Sequence, residues 1–233
     1  DKPSGVLCVP SQGGVPSLAQ TVFDYCQSKG TAADDGGVTK MDQMVVHRLG
    51  MDTSGLVVFA KTMDAVRGMN ALFRTRKITR QYQALVAGHM QKDQGLINLP
   101  LMRCYEHPPY MRISTDEHQR ALLDLDATVV GGKLLEAPKT SLTHYSVVSR
   151  ETYGGNDDLP VTQLTLTSIS GRTHQLNVHC AAVGHPIVGD TVYGWNGQAA
   201  ANGGLDKLSA PDAASAALQE KIAAAAEGKS MCV

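Results

Sequence analysis

Strand-like segments in this chain outnumber helical ones and are not evenly interleaved with them, which favours an α+β fold with a mostly antiparallel sheet over a doubly wound parallel one. Residues 81–86 alternate cleanly, with Tyr82, Ala84 and Val86 on one face and Gln81, Gln83 and Leu85 on the other. Strand composition recurs at residues 6–9, 45–49, 56–60, 141–148 and 161–168. Helical spacing is confined to four places. Ser17 and Gln20 form a capping-box pattern ahead of Leu18, Val22, Tyr25 and Cys26, with Gly30 as the stop. Val66, Met69 and Phe73 share a face within residues 64–76, and Leu176, Cys180 and Val183 share one before Gly184. Residues 212–227 form an Ala-rich fourth helix, predicted to pack lightly. Residues 30–37 are expected as a loop, and residues 90–135 as irregular strands around Pro108 and Pro109.

The 233 residues are 42% hydrophobic and 18% charged, enough to bury a core and too apolar for a disordered chain. The expected organisation is a domain over residues 1–197, followed by an Ala-rich linker and C-terminal helix over 198–233. No apolar run approaches the roughly 20 residues of a membrane-spanning helix, and no membrane partner is expected. The five cysteines are scattered with no Cys-x-x-Cys, which points away from a disulfide framework and towards a reducing compartment, cytoplasm or organelle matrix. Net charge is −1, yet Lys61, Arg67, Arg74, Arg76, Lys77 and Arg80 face the single acid Asp64 in twenty residues. Such a cluster is either a solvated helix face or a surface for phosphates.

Three separated blocks carry a family resemblance. The first is His47-Arg48-Leu49-Gly50-Met51-Asp52-Thr53-Ser54-Gly55, preceded by Lys2-Pro3-Ser4-Gly5. The second is Arg80-Gln81-Tyr82-Gln83-Ala84-Leu85-Val86-Ala87-Gly88. The third is Gly171-Arg172-Thr173-His174-Gln175-Leu176-Asn177-Val178-His179, continued by Gly184-His185-Pro186-Ile187-Val188-Gly189-Asp190 and Tyr193-Gly194. Together they resemble the RluA-type pseudouridine synthases, whose blocks read His-Arg-Leu-Asp-x-x-Thr-Ser-Gly, Tyr-x-Ala-Leu-Val-x-Gly and Gly-Arg-Thr-His-Gln-Leu-Arg-x-His. The resemblance covers roughly residues 1–195. It implies a mixed, mostly antiparallel sheet with flanking helices and a central cleft, acting on structured RNA without metal or cofactor.

Pseudouridine formation cuts the bond between uracil and ribose, turns the base and rejoins it through carbon. The base must leave its stack, which costs a few kcal/mol, and an aromatic surface must hold it as it turns. The resemblance gives Arg48 the wedge in the RNA helix and Tyr82 the stacking surface. The attacking aspartate of the family is replaced here by Gly50, which has no side chain. Asp52 is a second acid that family members commonly carry beside the first. The basic partner of that aspartate aligns with Asn177, although Arg172 stands close by. Losing both charges at once avoids stranding a buried ion.

The expected RNA-binding set is His47, Arg48, Lys61, Arg67, Arg74, Arg76, Lys77, Arg80, Arg172 and His174. His174, His179 and His185 match no common zinc spacing and are read as core or loop histidines before metal ligands. Ser54 lacks the Gly-x-Ser-x-Gly elbow of a hydrolase nucleophile. Two functions stay open: an inactive RNA-binding factor working on ribosomal RNA or with ribosomal and assembly proteins, and an active uridine isomerase with Asp52 as the only nearby acid.

Overall fold

A computed structural model describes every residue except 12, 31–35, 127, 129–130, 155–157, 206–209, 230 and 232–233. Most of the expected 30–37 loop and Cys232 therefore lie outside the described residues. The chain divides into two compact units, Asp1–Ile78 and Thr79–Val233.

In the first unit, α1 (Leu18–Ser28) starts where Ser17 accepts the Gln20 amide, and α2 (Met63–Arg74) starts where Thr62 accepts that of Ala65. The capping box at α1 is only half made. The Gln20 side chain donates to Asp24 at 2.8 Å instead of reaching back to the cap. Of the four residues at helical spacing Tyr25 is 63% exposed; Ala19 and Cys26 are the buried residues of α1. Val38, Met44 and Cys26 form this unit's core, with Val22, Phe59 and Val66 packed around them. The strands expected at 6–9, 45–49 and 56–60 shrink to single bridges, Leu7 with Ser17 and Val45 with Phe59. Their apolar composition was read correctly, but a ladder needs a hydrogen-bonded partner over several residues, which composition cannot supply.

The second unit holds a four-stranded sheet in the order β1 (Gln81–Ala87), β6 (Leu159–Ser168), β5 (Leu142–Tyr153), β2 (Gln94–Asn98). A two-stranded ribbon joins β3 (Leu101–Arg103) to β4 (Met111–Ile113). Every strand pair among the described residues is antiparallel. With its helices set beside this sheet, the fold is α+β. The face of β1 read from alternation is the buried one: Ala84 and Val86 join Leu164 and Leu166 of β6 in the main core, where Leu176 and Cys180 meet them. Those two come from α4 (Gln175–Ala182), in which seven of eight residues are buried.

Among the described residues, one α-helix was not anticipated. Thr115 caps α3 (Asp116–Leu123), with Asp116 and Glu117 in its first turn and Arg120 in its last. That arrangement suits the helix dipole and was visible as a start signal. The Ala-rich helix runs over α5 (Ala216–Ala226), placing Ile222 and Ala226 against Ala87, Leu159, Val161 and Val188. Small residues let its leading segment approach closely. A Cβ on Gly184, which has φ +80°, would sit 2.2 Å from the Ala213 Cβ. The His185 ring lies between the carbonyl oxygens of Ala87 and Asp212 and pins the same segment.

Candidate active site

The signature loop of the first unit is braced by the opening residues of the chain. Lys2 is 1% exposed, and its ammonium donates to the carbonyls of Pro3, Val6 and Met51 at 2.8, 2.8 and 2.7 Å. Burial lowers its pKa while Cys8 and Asp52 oppose that shift. Three converging carbonyls are satisfied only by three N–H donors, so the group is held as a cation. The Lys2 and Gly55 backbones exchange two hydrogen bonds, and Ser4 Oγ donates to the Asp52 carbonyl. This is what the Lys-Pro-x-Gly opening does here, a role the sequence did not reveal.

On that loop Arg48 and Gly50 are exposed and Asp52 is half-buried. His47 is turned inward. Its Nε2 accepts the Val58 amide at 2.9 Å, and its ring lies 5.2 Å from that of Phe73. Gly50 has no conformational need to be glycine. Its φ lies outside the left-handed region, and among the described residues an added Cβ would meet only Thr53 Oγ1, at 3.4 Å. Lys61, Arg67, Arg74, Arg76 and Lys77 are all exposed in this unit, with Arg67 bridged to Asp64 at 2.7 Å.

In the second unit Tyr82 is half-buried on β1 against the main core. Burial raises its phenol pKa and Arg80 opposes this, which keeps the ring a neutral surface at physiological pH. Arg80 packs over the Gly171 backbone, where a Cβ would fall 1.7 Å from Nη2. The 170–175 loop is organised by Gln175, which is 2% exposed. Its Oε1 accepts from Ser170 Oγ and the Arg172 amide, and its Nε2 donates to the Leu142 carbonyl and Thr143 Oγ1. Arg172 Nε reaches the Thr140 carbonyl at 3.4 Å.

Asn177 donates to Asp190 Oδ2 at 3.0 Å and lies 3.1 Å from the Met231 sulfur. Asp190 Oδ1 accepts the amides of Val192 and Tyr193. Both carboxylate oxygens are thus committed within the third block. Beside them, the buried Cys180 thiol is pushed up to about 12 by burial and then by Asp190, so it is neither nucleophile nor ligand. The three histidines separate in role. His179 bonds Thr143 Oγ1 and the Leu99 carbonyl inside the core, His185 lies between the Ala87 and Asp212 carbonyls and as a neutral ring donates to one of them, and exposed His174 faces Tyr193. Tyr193, Asp190 and Met231 were not singled out by sequence reasoning. Tyr193 and Asp190 lie within the third block, and only their contacts give them tasks.

The model of the RNA pseudouridylate synthase family matches residues 1–182. The chain belongs to that family. A dual-specificity RNA pseudouridine synthase RluA from Pasteurella multocida is 36% identical over 193 residues, covering 83% of this chain and 71% of that one. Mouse RNA pseudouridylate synthase domain-containing protein 1 is 37% identical over 148 residues, 64% of this chain and 43% of that one. Among solved structures, human RNA pseudouridylate synthase domain containing 1 aligns with a TM-score of 0.50 at 33% identity. That alignment covers 62% of this chain and spans about half, 52%, of the human one. Human RNA pseudouridylate synthase domain containing 4 shares the fold, with a TM-score of 0.60 at 21% identity over 95% of this chain and 70% of that one. As a pseudouridine synthase relative, the chain has an aromatic residue on β1 and an ordered basic loop before α4. The exposed loop ahead of α2 carries glycine at position 50.

Proposed function

We propose that this chain is an RNA-binding member of the pseudouridine synthase family that has lost the isomerisation step. It acts on structured RNA, ribosomal RNA in the first instance, or in ribosome assembly beside ribosomal and assembly proteins. The observation that carries this reading is Gly50. The backbone there has an ordinary φ and room for a Cβ, so no conformational demand of the fold requires glycine. Glycine can neither attack a ribose nor accept a proton, and loss of a nucleophile costs on the order of 10⁴ to 10⁶ in rate. The neutral Asn177 fits the same loss, since a cation left without its carboxylate would be destabilising. Arg48, Tyr82, Arg172 and the basic residues of α2 are the groups retained for binding. The competing reading is an isomerase using Asp52, which lies near the Lys2 ammonium.

Tritium release from RNA labelled at uracil C5 decides between them. The native chain is expected to bind the RNA and release no label catalytically, while a Gly50→Asp, Asn177→Arg double variant gains release. Multiple turnovers by the native chain would overturn the reading.

A further inference from the structure

The two outer strands of the second unit's sheet are finished differently. Beside β1 the chain at residues 186–188 closes the edge: the Ala87 amide donates to the Pro186 carbonyl at 2.9 Å, and the Val188 amide to that of Leu85 at 2.8 Å. Among the described residues β2 has no such cover. The Val147 amide donates to the Asp93 carbonyl at 2.7 Å, and with the register of the pair this turns the main-chain groups of Gly95 and Ile97 towards β5. Those of Gln94, Leu96 and Asn98 therefore point away from the sheet, and all three residues are exposed. A bare edge accepts a further strand, and soluble proteins blunt it with charge, proline or a bulge. β2 contains neither charge nor proline, and its ladder with β5 runs without a bulge.

The strand Gln94-Gly95-Leu96-Ile97-Asn98 is complementary to its own reverse. With Leu96 on a two-fold axis, Gln94 stands opposite the second copy's Asn98, and Gly95 opposite the second copy's Ile97. Carboxamide then meets carboxamide, the 56%-exposed Leu96 meets its equivalent, and the branched Ile97 faces a residue with no side chain. That glycine is already required, because a Cβ on it would fall 2.6 Å from the Tyr145 ring. The outward-facing residues also fall opposite one another, the register in which each pair exchanges two N–H···O bonds. A slip of two residues would set a carboxamide against Leu96. The flanking charges do not oppose the pairing. Asp93 is paired with Arg150 at 2.8 Å and Lys92 with Asp212 at 3.6 Å within one copy. The axis holds the two copies of Asp93 about 20 Å apart, six residues at roughly 3.3 Å each.

We infer that β2 is a homodimerisation edge, through which two copies of this chain pair antiparallel about Leu96 and join their sheets into one. The inference stands apart from the RNA-binding function proposed above.

Size-exclusion chromatography with light scattering tests it on the full chain. As concentration rises, the native mass should pass from 24.8 kDa to twice that value. Half-association is expected at about 10–100 µM, weak because the contact is small. Leu96→Lys and Leu96→Glu each set like charges opposite one another on the axis and should stay monomeric over the same range. An equimolar mixture of the two variants should regain the dimer mass, because lysine then faces glutamate. A native chain that stays monomeric overturns the inference. So does a dimer that neither substitution weakens, since its contact lies elsewhere. A mixture that stays monomeric, with both variants folded by circular dichroism, overturns the pairing about Leu96. Hydrogen exchange of the native chain gives a reading that needs no variant. The amides of Gln94, Leu96 and Asn98 should exchange more slowly as the dimer forms, and exchange independent of concentration overturns the edge.

Discussion

The amide of Asn177 donates to Asp190 across 3.0 Å, and the same carboxylate ties down the backbone of Val192 and Tyr193 through its other oxygen. At the position where the family resemblance implies a cation, this protein therefore holds a neutral clamp on its own loop. Asn177→Leu removes the donor from a half-buried carboxylate and should cost about 1.5–3 kcal/mol. Asn177→Arg keeps a donor facing Asp190 and should stay within about 1 kcal/mol of native. Urea denaturation of the two variants checks the difference.

His179 should make the second unit acid-labile. Burial takes its pKa from the ordinary 6.5 down to about 4, opposed by its bond to the Leu99 carbonyl. Between those values the unfolded chain binds a proton that the folded chain refuses, so stability is full above about pH 6.5 and falls as pH drops towards 4. At about 1.4 kcal/mol for each tenfold change, the loss is about 3 kcal/mol. Burial lowers His185 in the same direction. Urea midpoints measured from neutral pH down to about 4 should fall steadily; a flat profile would refute a buried neutral His179.

Lys2 should matter as much as a core residue. Lys2→Met keeps most of the apolar stem and leaves the Pro3, Val6 and Met51 carbonyls facing a thioether. Removing three charge-assisted bonds from a buried site should cost about 3 kcal/mol or more. The loop from His47 to Gly55 should then exchange its amide hydrogens faster, as hydrogen-exchange mass spectrometry can report.

Two glycines should respond unequally to alanine. At Gly171 the added Cβ meets Arg80 at 1.7 Å on a backbone with φ +62°, so Gly171→Ala should cost about 1–3 kcal/mol and displace that guanidinium. At Gly50 the methyl group has room and an ordinary backbone, so Gly50→Ala should change stability by about 0.5 kcal/mol or less. Thermal melts of the pair give the comparison directly.

Neutralising Arg67, Arg74 and Arg76 together should weaken RNA binding and lower the salt slope by about 2 to 3, each phosphate contact contributing roughly 0.9. Arg67 is expected to contribute least, because Asp64 already lies 2.7 Å from it. Affinities across a salt titration read the slope; an unchanged value removes this face from the interface.

The sequence by itself determined the family, the antiparallel α+β class and the buried face of β1, because short-range periodicity and motif spacing are written along the chain. It also marked Gly50, since the absence of a side chain needs no structure to be seen. It misjudged the strands of the first unit, whose apolar runs find only single bridges, and missed α3, whose three apolar residues, Ala121, Leu122 and Leu123, stand together at its end. Only the tertiary structure decided that Lys2 is a buried cation under the signature loop, that Asn177 answers to Asp190, and that Tyr193 meets His174. Each of those pairs joins residues 13 to 49 positions apart. Hydrogen bonds act over about 3 Å, so which polar atoms meet depends on how the chain packs, and no local pattern records it.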